Sequence, residues 1–183
     1  MIDETGQALS DFTERYCSLW QQQRGHAPAS AELTGVPSPC VLQTQQESVW
    51  WQPQPFTLAQ NLLAVERALD LQLQPALTAF WTTQFAGDMA ASCDGLALSL
   101  LQAWSEEDFI RVQENLIGHL LMKRRLKQSP TLFIATTDSE LEVISVCNLS
   151  GEVILEQLGK KNREVIAPSL KNFLISLQPL IVS

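Results

Sequence analysis

Histidine, clustered glycine and paired cysteine, the usual materials of an enzyme site, are scarce in this chain. Only His26 and His119 occur among its 183 residues. Neither accompanies a catalytic Ser or Cys motif, so an imidazole-dependent nucleophilic site has little to be built from, and both are expected to be structural or surface residues. The eight glycines are all isolated, which removes the G-x-G-x-x-G and G-x-x-x-x-G-K-[ST] phosphate cradles. Cys17, Cys40, Cys93 and Cys147 lie far apart with no C-x-x-C pair, so a zinc knuckle or redox motif is excluded and buried free thiols are expected. No His, Cys and carboxylate set has ligand spacing. No catalytic residue, metal or other cofactor is therefore expected.

Long apolar runs are also missing. No stretch approaches the roughly 20 residues that span a bilayer, and "MIDETGQALSDF" lacks the basic and apolar regions of a secretory signal. A cytoplasmic location is the expectation. Positive charge is in short supply too: 12 Lys and Arg face 20 Asp and Glu, giving a net charge of −8 and a pI near 4.7. Such a surface repels nucleic acid. The imbalance is local, because residues 1–122 hold 14 acidic and 4 basic side chains, whereas residues 123–183 hold 6 acidic and 8 basic. A basic partner suits the larger part.

What remains is an ordinary globular composition, 45% hydrophobic and 17% charged with a mean hydropathy of +0.01. It suits one domain over residues 1–183. Leu9, Phe12, Tyr16, Leu19 and Trp20 recur at helical spacing, predicting a helix over 5–22. Two β-prone runs, Cys40 to Thr44 and Ser48 to Gln52, predict a hairpin that Pro53 and Pro55 keep at a sheet edge or outside it. Thr57, with Gln60 in the capping-box position, predicts the start of a helix carrying Leu58, Leu62, Val65 and Leu69 on one face. A short helix from Pro75 should end near Thr83. Gly87 allows a left-handed or close-packed backbone, and Gly95 opens the strand "LALSLLQAW".

Ser105 and Asp108 then form a variant capping box for a long central helix, about 105–127. Glu106, Glu107 and Asp108 stand at its positive end and Lys123, Arg124, Arg125 and Lys127 at the other. Phe109, Ile110, Val112, Leu116, Ile117, Leu120 and Leu121 give it a wide apolar face. "TLFIATT", "LEVISVCNL" and "GEVILEQL" predict an antiparallel meander, and a last helix covers about Ser169 to Leu177. The fold class is α+β: a mainly antiparallel sheet with a C-terminal meander, packed against several helices including the central one.

Three stretches invite functional readings. Asp88, Asp94 and the Glu106 to Asp108 cluster could converge as paired carboxylates, as a glycosidase requires, although a helix N-terminus is a sufficient reason for the cluster. An enzyme of this kind needs a deep pocket joining several of them. The basic run "KRRLK" is explained by the helix dipole and solvation, with a membrane-surface contribution left open. Trp50 and Trp51, adjacent on a strand, must face opposite sides, so one of them could anchor a partner.

The runs "TGVPSPC", "WWQPQPFT", "AVERALD", "TTQFAGDM", "WSEEDFIRVQENLIGHL", "PTLFIATTDSELEVISVCNLSGEV" and "FLISLQPL" cover nearly the whole length. Together they resemble the Syd family of SecY-interacting proteins, within the wider Smi1/Knr4-like superfamily. The resemblance implies a non-enzymatic α+β protein with no small-molecule substrate, loosely held at the cytoplasmic side of the inner membrane through SecY. It further implies an acidic concave surface that receives basic cytosolic loops of SecY and acts as a check on abnormal or uncomplexed translocase. A monomer is expected. Toxin-immunity binding, known in the same superfamily, is the alternative.

On this chain the negative field is expected from Asp88, Glu106, Glu107, Asp108 and Glu114, with Gln84, Phe85 and Trp104 shaping the same wall. They cluster in sequence around "FAGDM", a strand end and the start of the central helix. Glu107 could instead pair with Arg111. Loops on the cytoplasmic side of membrane proteins are rich in Lys and Arg, so a carboxylate-lined groove would attract them in a salt-sensitive way.

Overall fold

A computed structural model describes residues 4–59 and 61–182. Helix α1 (Glu4–Arg24) leads into β1 (Ala29–Ser30), the hairpin β2 (Val41–Thr44) and β3 (Val49–Trp51), and β4 (Gln54–Pro55). Helices α2 (Leu63–Leu69) and α3 (Pro75–Thr82) follow, then β5 (Gln84–Phe85), β6 (Met89–Cys93), β7 (Leu96–Leu100) and the central helix α4 (Glu106–Arg125). Strands β8 (Thr131–Thr137), β9 (Glu142–Cys147), β10 (Val153–Gln157) and β11 (Arg163–Ala167) precede α5 (Leu170–Ser176) and β12 (Gln178–Pro179). A seven-stranded antiparallel sheet runs β11-β10-β9-β8-β7-β6-β12, beside a three-stranded sheet β1-β3-β2 and the pair β4-β5. The class is α+β, as the order of patterns predicted.

Local chemistry explains most element ends. Ser105 is extended at the N-cap of α4 and its Oγ accepts the Asp108 N–H at 3.2 Å. Asp108 returns a bond to the Trp104 N–H at 2.8 Å, one residue before the cap. That offset distinguishes it from an ordinary capping box. At the far end the Lys127 N–H reaches Arg124 O and the Gln128 N–H reaches Lys123 O, a Schellman closure with Lys127 at φ 55 where glycine is usual. Pro75 begins α3, and Ser169 caps α5 through the Asn172 N–H at 3.1 Å.

Three expectations need correction. Thr57 caps nothing: α2 begins at Leu63 after Leu62, with no side-chain cap, and Gln60 lies outside the described residues. Phe56 is the reason, since its N–H bonds Thr83 O and its ring packs on Phe85 and Phe109, holding the chain to β5. The apolar face of α4 is narrower than its sequence suggests: Phe109, Leu116 and Leu120 are buried, but Ile110 and Leu121 are about half exposed at 49% and 46%. Lys123 is not a solvated helix end either. It is buried against Glu156, whose second oxygen accepts the Thr131 hydroxyl at 2.7 Å.

Thr131 Oγ donates its proton to Glu156, so it accepts from His119 Nε2–H at 2.9 Å, which fixes the neutral tautomer. Burial and the Lys123 charge hold the His119 pKa low, against the opposing pull of Glu156. Burial alone would raise the Glu156 pKa, but the bonds from Lys123 and Thr131 outweigh it and keep the carboxyl below its ordinary range. His119 is thus a structural residue. His26 is another, stacked on Trp50 at 4.4 Å and close to Trp20.

Strand β6 had no forecast. Its residues alternate buried and half-buried, and Asp94 and Gly95 (φ 48 and 82) form the tight turn into β7 that an Asp-Gly pair favours. Strands β11 and β12, at the two edges of the main sheet, were likewise not foreseen. Cys40, Cys93 and Cys147 are buried free thiols, and Cys17 is partly covered. Among the described residues no helix is long and apolar enough to cross a membrane.

Candidate functional site

Between α1, the turn after β1, the β6–β7 hairpin, α4 and the end of β8 lies an open cavity of about 610 Å³. Among the described residues four carboxylates line it, Glu32, Asp88, Asp108 and Asp138, and no Lys, Arg or His does. Aromatic and apolar walls stand between them: Tyr16 and Trp20 from α1, Trp81 from α3, Trp104 before α4, and Phe133 from β8. Polar and apolar surface thus alternate around the same concavity.

Each wall is fixed by specific contacts. Trp51, 1% exposed, sits behind the floor and meets Trp104 edge to face at 6.3 Å. Trp104 is held twice, its indole N–H donating to Val36 O at 3.0 Å and its carbonyl accepting the Ser38 hydroxyl at 2.6 Å. Gly87 is required here for its lack of a side chain, not for a left-handed backbone: a Cβ would lie 2.8 Å from Trp51 Cε2. Gly87→Ala should therefore force Trp51 to move, costing about 1–3 kcal/mol. Chemical denaturation measures the loss; an unchanged midpoint would show that the ring gives way freely.

Asp88 enters from the segment before β6, and its Oδ1 accepts the Gln102 N–H at 3.0 Å. Its side chain is exposed to solvent at the cavity mouth, yet protein packs densely around the concave wall it stands in, and that neighbourhood desolvates the carboxyl. That desolvation pushes its carboxyl up to about 6; the Gln102 bond opposes the shift, while Asp108 and Glu32 add repulsion. Asp108 spends one oxygen on the Trp104 N–H and holds the other 3.5 Å from Arg111. Arg111 thus pairs with Asp108, rather than with Glu107 as the spacing allowed.

The eight residues singled out in the sequence fall into three groups. Asp88, Trp104 and Asp108 line the cavity. Gln84 and Phe85 are buried behind it, 7% and 3% exposed. There Gln84 Nε2 donates to Thr13 Oγ1 at 2.8 Å and Gln102 Oε1 at 3.1 Å, bracing the wall. Glu106, Glu107 and Glu114 are exposed on α4 and stay outside the lining. Glu32 and Asp138 were missed because they come from turns distant in sequence, and nothing in "ASAELTG" or "TTDSEL" marks them as neighbours.

The chemistry available is attraction of cations more than bond-making. The cavity joins several carboxylates, as an acid-base enzyme would need, but Asp88 and Asp108 each already hold a backbone N–H, and the cation beside them, Arg111, is taken up by its pairing with Asp108. Among the described residues no three His, Cys, Asp or Glu side chains converge well enough to hold a metal ion.

A family model described as Syd protein (SUKH-2) matches residues 6–179. A relative named Protein Syd from Erwinia tasmaniensis is 75% identical over 183 residues, covering 100% of this chain and 98% of its own. Proteins of the same name from Klebsiella pneumoniae and Escherichia fergusonii are 62% and 61% identical over 181 residues, 99% of this chain and 100% of theirs. The chain belongs to the Syd family.

Proposed function

We propose that this protein is a non-enzymatic regulator that binds the cytosolic face of SecY, with the four-carboxylate cavity receiving a basic SecY loop. The observation that carries this reading is the charge of the lining: among the described residues Glu32, Asp88, Asp108 and Asp138 line one cavity with no basic residue in that lining, and Arg111, outside it, pairs with Asp108 alone. Lys or Arg side chains entering would replace the repulsion that Asp88 feels from Asp108 and Glu32 with attraction. Leu33, Val112 and Phe133, all partly exposed in the lining, offer apolar surface for the stems of those side chains.

In this role the protein attaches to the membrane through its partner and checks SecY that is abnormal or lacks its normal subunits. Exposed Glu106, Glu107 and Glu114 supply long-range field rather than contacts, steering a basic loop toward the cavity. The test is capture of detergent-solubilised inner-membrane proteins on the immobilised chain. SecY should be retained at low salt and released at high salt, because screening weakens charge attraction. Recovery of a soluble toxin in its place would replace this reading with an immunity role.

A further inference from the structure

A second cavity, of about 330 Å³, lies between the C-terminal end of α4 and the β10–β11 hairpin. It shares no lining residue with the acidic one and reverses its charge. Lys123, Lys127, Lys160, Lys161 and Arg163 surround it, five of the chain's 12 basic residues, with Glu156 as the sole carboxylate among the described residues. Glu156 is already committed to Lys123 and Thr131. Among the described residues Lys127, Lys160 and Lys161 have no carboxylate partner. We propose that this cavity binds a phosphate group, carried either by a soluble phosphate compound or by the headgroup of an anionic lipid.

Three further features favour that ligand chemistry. Lys127 occupies the left-handed position of the α4 closure, φ 55, where glycine would be relaxed, so a strained backbone is kept at the cavity rim together with a charge. The Ser129 hydroxyl and the Gln128 and Asn162 amides add neutral polar groups to the lining, and phosphate oxygens can accept from several donors at once. Leu141, 68% exposed, bonds the hairpin through its carbonyl to the Leu158 N–H, and Leu126, 40% exposed, precedes Lys127. Exposed leucines beside unpaired lysines suit a lipid surface, whereas the net charge of −8 would otherwise repel an anionic membrane.

The inference stands whether or not the acidic cavity binds SecY. Its test uses the full chain with two probes at low salt: inorganic phosphate followed by NMR, and sedimentation with phosphatidylcholine vesicles with or without phosphatidylglycerol. Phosphate should give saturable shifts at residues 127–129 and 159–163. Lys160→Gln/Lys161→Gln should abolish those shifts, and if the source is lipid it should reduce phosphatidylglycerol-dependent sedimentation by about 30-fold. Lys127→Gly should bind less while melting at or above the parent temperature, since glycine relieves the strain. Shifts without vesicle binding assign a soluble phosphate, and phosphatidylglycerol-dependent sedimentation assigns the lipid. Absence of both responses, or equal responses in the parent and both variants, would overturn the proposal.

Discussion

Asp88→Asn is expected to weaken binding of the basic loop by about 10–100-fold at pH 7.5 and low salt, the worth of one charge-assisted contact, while making the protein harder to unfold. The two effects have one origin. Asn keeps an oxygen for the Gln102 N–H but cannot ionise, so it escapes both the desolvation and the repulsion that raise the Asp88 carboxyl from 3.8 to about 6. Between those values the folded state holds a proton that the unfolded chain has released. Stability therefore falls as pH rises from about 4 to about 6, and the loss persists above that range. The variant should melt slightly higher than the parent at pH 7.5, the gain being small because solvent at the cavity mouth screens the exposed carboxylate, and the difference should close toward pH 4.

Binding follows the opposite sign. Ionised Asp88 attracts a cation and protonated Asp88 does not, so parent affinity should decline between pH 7 and pH 5, and the Asn variant should lose that component. Glu107→Lys is the matched control, because Glu107 is exposed on α4 outside the lining. It should change affinity by no more than about threefold, as rim charges act mainly through steering. An Asp88→Asn protein that binds as tightly as the parent would remove Asp88 from the site.

The largest stability effect is expected at the buried pair. Lys123→Met keeps most of the side-chain volume but leaves Glu156 buried without its cation, which should cost about 3–5 kcal/mol by chemical denaturation at pH 7.5. The deficit should shrink at acid pH, since the orphaned carboxyl then takes up a proton instead of carrying an unpaired charge. Adding Glu156→Gln should recover more than half of the loss: an amide still accepts the Thr131 hydroxyl, and no buried charge remains. If the double variant is as unstable as the single one, the pair is not what holds α4 against β10.

Periodic elements were legible in the sequence because their signals are local. The Ser105 cap, the acidic first turn and the apolar repeat announce α4; Pro75 announces α3; the alternating runs announce the hairpin β2–β3 and the strands β8 to β10. Failures occurred where a distant residue decided the outcome. Phe56 packs on Phe85 and Phe109 and takes away the turn that Thr57 would have capped. Gly87 reads equally as a left-handed or a close-packed position until Trp51, far away in sequence, is found against it and decides for close packing.

Charge shows the same boundary between local and distant information. The excess of carboxylates before residue 122 was visible, and so was the acidic start of α4. Which carboxylates meet was not, because Glu32 and Asp138 reach the cavity only after the main sheet places the end of β8 beside Asp88 and Asp108. Lys123 was similarly hidden. Its place in a basic run suggests a solvated helix end, and only the packing of α4 on the meander reveals the buried Glu156 that it neutralises.

Site-specific crosslinking in membranes containing SecY tests the acidic cavity most directly. A photoreactive side chain at Thr137, within the lining, is compared with one at Glu114, exposed on α4 outside it. Crosslinks from Thr137 to a cytosolic SecY loop, lost at high salt and in Asp88→Asn, are the expected result. Crosslinks from Glu114 alone, or none from either position while SecY is still captured, would contradict the assignment of this cavity as the binding site.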